Sequence, residues 1–140
     1  EVGADYAKFQ TFNASELASR GAPVAKYQKN SFKGERQVDL LSSLQLSARD
    51  FEELADFCSR VGIGFLTTAH DSRSAKFVFG LELDFIKVAS GDVTNYPFLK
   101  KVGQQRTPVL LSTGASREEE VLRAIEVLES SELSRAEMRV

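Results

Sequence analysis

The sequence has one cysteine, Cys58, so no disulfide can close within the chain, and a reducing, cytoplasmic setting is expected. No apolar run approaches the roughly 20 residues that a membrane-spanning helix needs, and none has the make-up of a signal peptide. Basic residues are not in excess: 18 Lys and Arg stand against 20 Asp and Glu, interspersed, for a net charge of −2. Neither nucleic acid nor a membrane surface is an expected partner of such a chain. His70 is the one histidine, which excludes a multi-histidine metal site. It reads as an exposed loop residue or a helix-start contact, and no metal ligands are assigned within the chain. No G-x-G-x-x-G follows a strand and no Walker sequence occurs, so nucleotide-binding versions of an α/β fold lose support.

What is present is enough for one ordinary domain: 140 residues, 42% hydrophobic and 27% charged. Four short segments end an apolar run on a polar or glycine-rich cluster: Lys8-Phe9-Gln10-Thr11-Phe12, Phe65-Leu66-Thr67-Thr68, Lys87-Val88-Ala89-Ser90-Gly91-Asp92 and Leu110-Leu111-Ser112-Thr113-Gly114. Each reads as a strand leading into a helix. Ser47 and Asp50 form a capping-box pattern opening a helix through about Arg60, with Phe51, Leu54, Ala55 and Cys58 at helical spacing. Asp71 caps a second helix through about Phe79, Thr94 or Asn95 a third before Pro97, and Ser116 with Glu119 a fourth reaching about Glu129. Segment 13–46 is a long polar connection with one short helix expected near Gln37 to Ser43. Gly3 suits a helix C-terminus, and Met138-Arg139-Val140 reads as the start of another strand.

Alternation of strand and helix predicts a parallel sheet with right-handed crossovers, either open and doubly wound or closed as a barrel. The missing nucleotide motifs favour the barrel. A (β/α)8 barrel takes about 250 residues, so the chain is expected to be a portion of one, with residues 1–140 a domain truncated at both ends. Such a half barrel is expected to leave open sheet edges and part of its core face exposed.

The polar clusters fall on the sheet edge where α/β proteins build anion sites. Period-two alternation puts Lys8 and Gln10 on one face of their strand. Lys87 sits between Ile86 and Val88, where an ammonium is costly unless an anion or an acidic partner compensates it. Thr68, Ser90, Ser112 and the amides near Gly91 and Gly114 add neutral donors. Singly, a lysine at a strand end is an ordinary solvated or ion-paired residue, and Ser-Gly or Thr-Gly is ordinary turn chemistry. Recurrence on successive strands is what points to a ligand with more than one negative charge. Cys58, at an apolar helical position, reads as core.

The succession G-A-D-x-x-K-F-Q-T-F at Gly3 to Phe12, L-S-x-x-D-F at Leu46 to Phe51, F-L-T-T-A-H-D at Phe65 to Asp71, F-I-K-V-A-S-G-D-V-T-N at Phe85 to Asn95 and L-L-S-T-G at Leu110 to Gly114 resembles the sialic acid synthase family. That family includes N-acetylneuraminate synthase and the legionaminic and pseudaminic acid synthases, and the resemblance covers nearly the whole chain. It implies barrel strands two to five, and condensation of phosphoenolpyruvate with N-acetylmannosamine or a related N-acyl amino sugar to give a nonulosonic acid and phosphate. It also implies Mn2+ or Mg2+, with its ligands elsewhere in the complete enzyme, and a homodimer. Carried over by motif, Lys8 and Lys87 are the catalytic residues that neutralise phosphoenolpyruvate. Thr68, Ser90, Ser112 and Gly114 then lie near its phosphate, and Gln10 and Asp92 on the sugar side. The chain departs from the family's S-T-P-F at Thr67-Thr68-Ala69-His70, and the family's catalytic glutamate and metal histidines are not among these residues, so the chain alone is expected to be inactive. A deoxy-keto-acid phosphate synthase and a non-catalytic half-barrel module are the alternatives.

Overall fold

Strand order decides the architecture. The computed structural model describes residues 3–30 and 32–140; the helix-end reading at Glu1 and Val2 lies outside them. Strands β1 (Tyr6–Thr11), β2 (Gly64–Ala69), β3 (Ile86–Val88), β4 (Val109–Leu111) and β5 (Met138–Arg139) make one parallel sheet in the order β1-β2-β3-β4-β5. Helices α1 (Ala14–Leu17), α2 (Gln37–Leu44), α3 (Ala48–Val61), α4 (Ser72–Val78), α5 (Tyr96–Gly103) and α6 (Glu118–Glu129) lie between them in sequence. Every strand is laid beside its predecessor on the same side, so right-handed crossovers send the connecting helices to one face. A doubly wound sheet reverses direction at a switch point; these strands do not.

Local signals account for most boundaries. Asp50 N–H donates to Ser47 Oγ at 3.2 Å and Ser47 N–H donates to Asp50 Oδ2 at 2.7 Å, closing the capping box that starts α3. Gly62, at φ +73°, ends that helix in the left-handed conformation. The start of α6 differs from the expectation. Arg117, not Ser116, is the cap residue, and Glu120, not Glu119, accepts the returning bond, from Arg117 N–H at 2.8 Å. Ser116 is instead used in the turn before it, its N–H donating to Thr113 O at 3.0 Å across Ala115 at φ +60°. Segment 13–46 contains α1 and a 3-10 turn over Lys26–Asn30 besides the expected α2.

The two faces of the sheet have different jobs. Ile86, Val88, Val109, Leu111 and Met138 are buried in one cluster with Leu99 and Val102 of α5 and Ala124 and Leu128 of α6. The opposite face carries Lys8, Gln10, Leu66, Thr68, Lys87 and Leu110, by the register of the strands. Leu66 and Thr68 are buried there, whereas Lys8 and Gln10 are exposed and Lys87 and Leu110 half-buried. α5 lies close against α6 at Gly103: a Cβ on it would come to 2.6 Å from Ser131 Cβ and 3.0 Å from the carbonyl oxygen of Leu128. Replacing Gly103→Ala should therefore destabilise the fold by about 1–3 kcal/mol through overpacking. Urea denaturation measures it, and an unchanged midpoint would contradict this packing.

Candidate functional site

Register brings the predicted residues together. Gln10 pairs with Thr68, Thr68 with Lys87, Lys87 with Leu110, and Leu110 with Arg139, which makes one row across five strands on the face away from the α5–α6 core. Lys8 stands two residues before Gln10 on the same face, beside Leu66. The remaining predicted residues follow the strands directly: Ser90 and Asp92 in the short helical turn after β3, Ser112 and Gly114 in the loop after β4. Except for Lys8, which sits mid-strand on β1, they lie at the C-terminal ends of adjacent parallel strands or in the loops that leave them.

Lys87 is the centre of the row. Its ammonium donates to Val88 O at 2.6 Å and to Ser112 Oγ at 2.5 Å. Burial pushes its pKa below the usual lysine value, and the charge of Lys8 lowers it further. Among the described residues no carboxylate pairs with it. The compensating acid that the sequence left open is thus not supplied by these residues. Ser112 N–H donates to Val88 O at 3.1 Å, extending the β3–β4 ladder into the loop and fixing the hydroxyl beside the ammonium. Gly114 sits against Ser90: a methyl group on it would lie 3.6 Å from Ser90 Oγ. Ala115 next to it holds a left-handed backbone, φ +60°, that a non-glycine residue adopts at some cost.

Two side chains tie the loops after β1 and β2. Asp71 accepts from Asn13 N–H (2.7 Å) and Ser74 Oγ–H (2.7 Å) through Oδ2, and from Arg73 N–H (3.0 Å) and Ser74 N–H (2.8 Å) through Oδ1. Burial alone would raise its pKa, but these bonds outweigh burial and hold the carboxyl below its ordinary value. Of the two expectations for His70, exposed loop residue or helix-start contact, the second holds: it directly precedes the N-cap Asp71 of α4. It is half-buried, its N–H continues the ladder to Thr11 O at 3.1 Å, and its Nε2 lies 3.0 Å from Gln10 Nε2. With Gln10 Nε2 as the donor, His70 Nε2 accepts in the neutral ring that carries its proton on Nδ1. Burial lowers its pKa; Asp92 and Asp71 pull upward, Lys8 and Lys87 downward.

His70 is the residue that sequence reasoning missed. Its signal was its place two residues after Gln10's register partner Thr68, just before the capping Asp71. The arrangement suits a ligand with two or more negative charges laid across Lys8 and Lys87, with hydroxyls and amides along its flank. For a metal it is not suited: among the described residues no group of three or more His, Cys, Asp or Glu is placed to hold an ion. No helix among them is long and apolar enough to cross a membrane.

The chain is 36% identical over 129 residues to the N,N'-diacetyllegionaminic acid synthase of Legionella pneumophila, covering 91% of this chain and 36% of that protein. It thus spans about a third of that relative's length. In fold it is similar to the N-acetylneuraminic acid (sialic acid) synthetase of Leptospira borgpetersenii, with TM-score 0.76, 21% identity and coverage of 93% of this chain and 41% of that one. It is also similar to the phospho-2-dehydro-3-deoxyheptonate aldolase (DAHP synthase) of Thermotoga maritima, with TM-score 0.65, 18% identity and coverage of 97% and 33%. The NeuB family model matches residues 1–138, and the chain belongs to the NeuB family.

Proposed function

We propose that these residues form the phosphoenolpyruvate-binding part of a nonulosonic acid synthase, which condenses phosphoenolpyruvate with an N-acylated amino sugar and releases phosphate. In this reading β1 to β4 are strands two to five of an eight-stranded barrel, β5 begins the next, and residues 1–140 are a partial barrel domain. The observation that carries it is Lys87: a half-buried ammonium, bonded to Ser112 and unmatched by a carboxylate among the described residues. Kinship to a legionaminic acid synthase supports the sugar class, and the sequential parallel sheet supports the barrel.

The roles follow from charge and reach. Lys87 and Lys8 neutralise the carboxylate and phosphate of phosphoenolpyruvate, and Ser112, Ser90, Thr68 and the amide at Gly114 donate to its oxygens. That arrangement orients the enol carbon toward the side of the site where Gln10, His70 and Asp92 lie, which receives the sugar. Carbon–carbon bond formation there leaves a cationic centre at C2; water adds to it, and the C–O bond to phosphate then breaks. The divalent metal of the resemblance has no ligand set among the described residues, and no step is assigned to it. A deoxy-keto-acid phosphate synthase is the second reading, favoured by the likeness to DAHP synthase. It would need an arginine cluster for a sugar phosphate, and Arg139 is the one arginine on the row, its guanidinium spent on Ala136 O and Met138 O.

Titrating the chain with phosphoenolpyruvate while recording amide NMR shifts tests the reading without requiring turnover. Saturable shifts at Lys87, Ser90, Ser112 and Gly114 are expected, with affinity falling about 30-fold or more in Lys87→Ala. A well-dispersed spectrum that ignores the ligand would overturn it. The ring of His70 gives a second expectation. Folding lowers its pKa from the ordinary 6.5, so the unfolded chain binds the proton more readily. Its contribution to stability is complete above pH 6.5 and is lost as pH falls below that value through the folded pKa. His70→Asn should flatten the slope of unfolding midpoint against pH in that window, and equal slopes in both proteins would refute the assignment.

A further inference from the structure

A second cavity lies among the helices rather than on the lysine row. α5 packs along α6 and touches α4 through Phe98, and beside that contact an open cavity of about 320 Å3 lies between α4 and α5. This is the lower end of the volume of small-molecule sites, on the order of 300 Å3. Its apolar lining comes from Phe79 and Phe98, each only partly buried, with Ala69, Ala75 and Pro97. Lys76, Lys101 and Gln104 line it toward the C-terminal ends of the two helices. His70 and Asp92 line it at the other end, where the helices begin. Lys87, Ser112 and Lys8 do not line it, so the cavity adjoins the proposed sugar side through His70 and Asp92 but does not include the phosphate row.

The charges give the cavity a direction. Neither Lys76 nor Lys101 is in an ion pair among the described residues. At the opposite end stands Asp92, its Oδ1 accepting from Asn95 Nδ2 at 3.1 Å. An anionic group is repelled from Asp71 and Asp92 and drawn toward the two lysines, while an apolar body lies against Phe79 and Phe98. A ligand that is all charge, such as phosphate, gains nothing from Phe79 and Phe98. An uncharged aromatic gains nothing from the lysines.

We propose that the α4–α5 cavity is a binding site for a small monocarboxylate with an apolar body, separate from the phosphate row. The inference does not rest on the phosphoenolpyruvate reading: it needs only the two rings and the two lysines.

Benzoate is the probe, and benzamide, of the same shape without the charge, is the control. Titrated into the 15N-labelled chain, benzoate should give saturable shifts centred on Ala75, Phe79, Phe98 and Lys101, with a dissociation constant on the order of millimolar for so few atoms. Benzamide should bind at least about tenfold more weakly, and so should benzoate to the double variant Lys76→Glu, Lys101→Glu. Both lysines are exposed, so the variant should keep a dispersed spectrum. Lys87→Ala should leave benzoate binding unchanged. The proposal is overturned if benzoate does not saturate, if its shifts centre on Lys87 and Ser112, or if benzamide or the double variant binds equally well. It is also overturned if the same signals move with protein concentration alone, which would make the gap an interface between copies.

Discussion

An ammonium group held inside a parallel sheet without a carboxylate is the constraint around which the site is arranged. Taking a lysine charge even partly out of water is unfavourable unless something repays it, and half-buried Lys87 is further disfavoured by Lys8. Its bonds to Val88 O and Ser112 Oγ satisfy two of three N–H donors but supply no opposite charge. A chain evolved for stability alone would place an apolar residue between Ile86 and Val88. The cost becomes intelligible if an anion arrives.

The remainder of the fold makes that cost tolerable and keeps the geometry fixed. On the far side of β3 and β4, Val88, Val109, Leu99, Val102, Ala124 and Leu128 are fully buried, and Gly103 lets α5 lie close to α6. The same strands that bury Val88 and Val109 inward therefore hold Lys87 and Leu110 outward, because successive side chains alternate faces. On the other flank, Asp71 joins the end of β1 to the start of α4 through Asn13, Arg73 and Ser74. Gln10 on β1 and His70 directly after β2 are thereby mounted on rigid elements, which is where a binding constellation keeps its geometry.

Much of this was legible from residues because the decisive signals are local. Ser47 with Asp50, Asp71, and Pro97 after Asn95 are short-range capping and turn chemistry, and each marks a helix start in the structure. Period two placed Lys8 and Gln10 together, and order along the chain brought Lys87 and Ser112 to neighbouring strands. What escaped was non-local or degenerate. The run Glu118-Glu119-Glu120 offers several partners for a helix start, and the left-handed Ala115 selected the later one. α1 is four residues long, with no periodicity to detect; Asn13 Oδ1 accepting from Ser15 N–H at 3.1 Å and Gln45 Oε1 accepting from Ala14 N–H at 2.8 Å, a contact 31 residues away, help hold it. The contact of His70 with Gln10 escaped because Gln10 lies 60 residues earlier and meets it only through the β1–β2 register.

Membership of the NeuB family and the Lys87 row arise from separate observations, one from sequence kinship and the other from burial and charge. Their common ground is the state of one nitrogen. Following the Lys87 side chain by NMR through a pH titration, with and without phosphoenolpyruvate, tests the central claim most directly. The account predicts a pKa below that of an ordinary lysine in the free chain, rising when the ligand binds because an anion then stabilises the charged form. A pKa that is already ordinary, or that phosphoenolpyruvate leaves where it was, would contradict it.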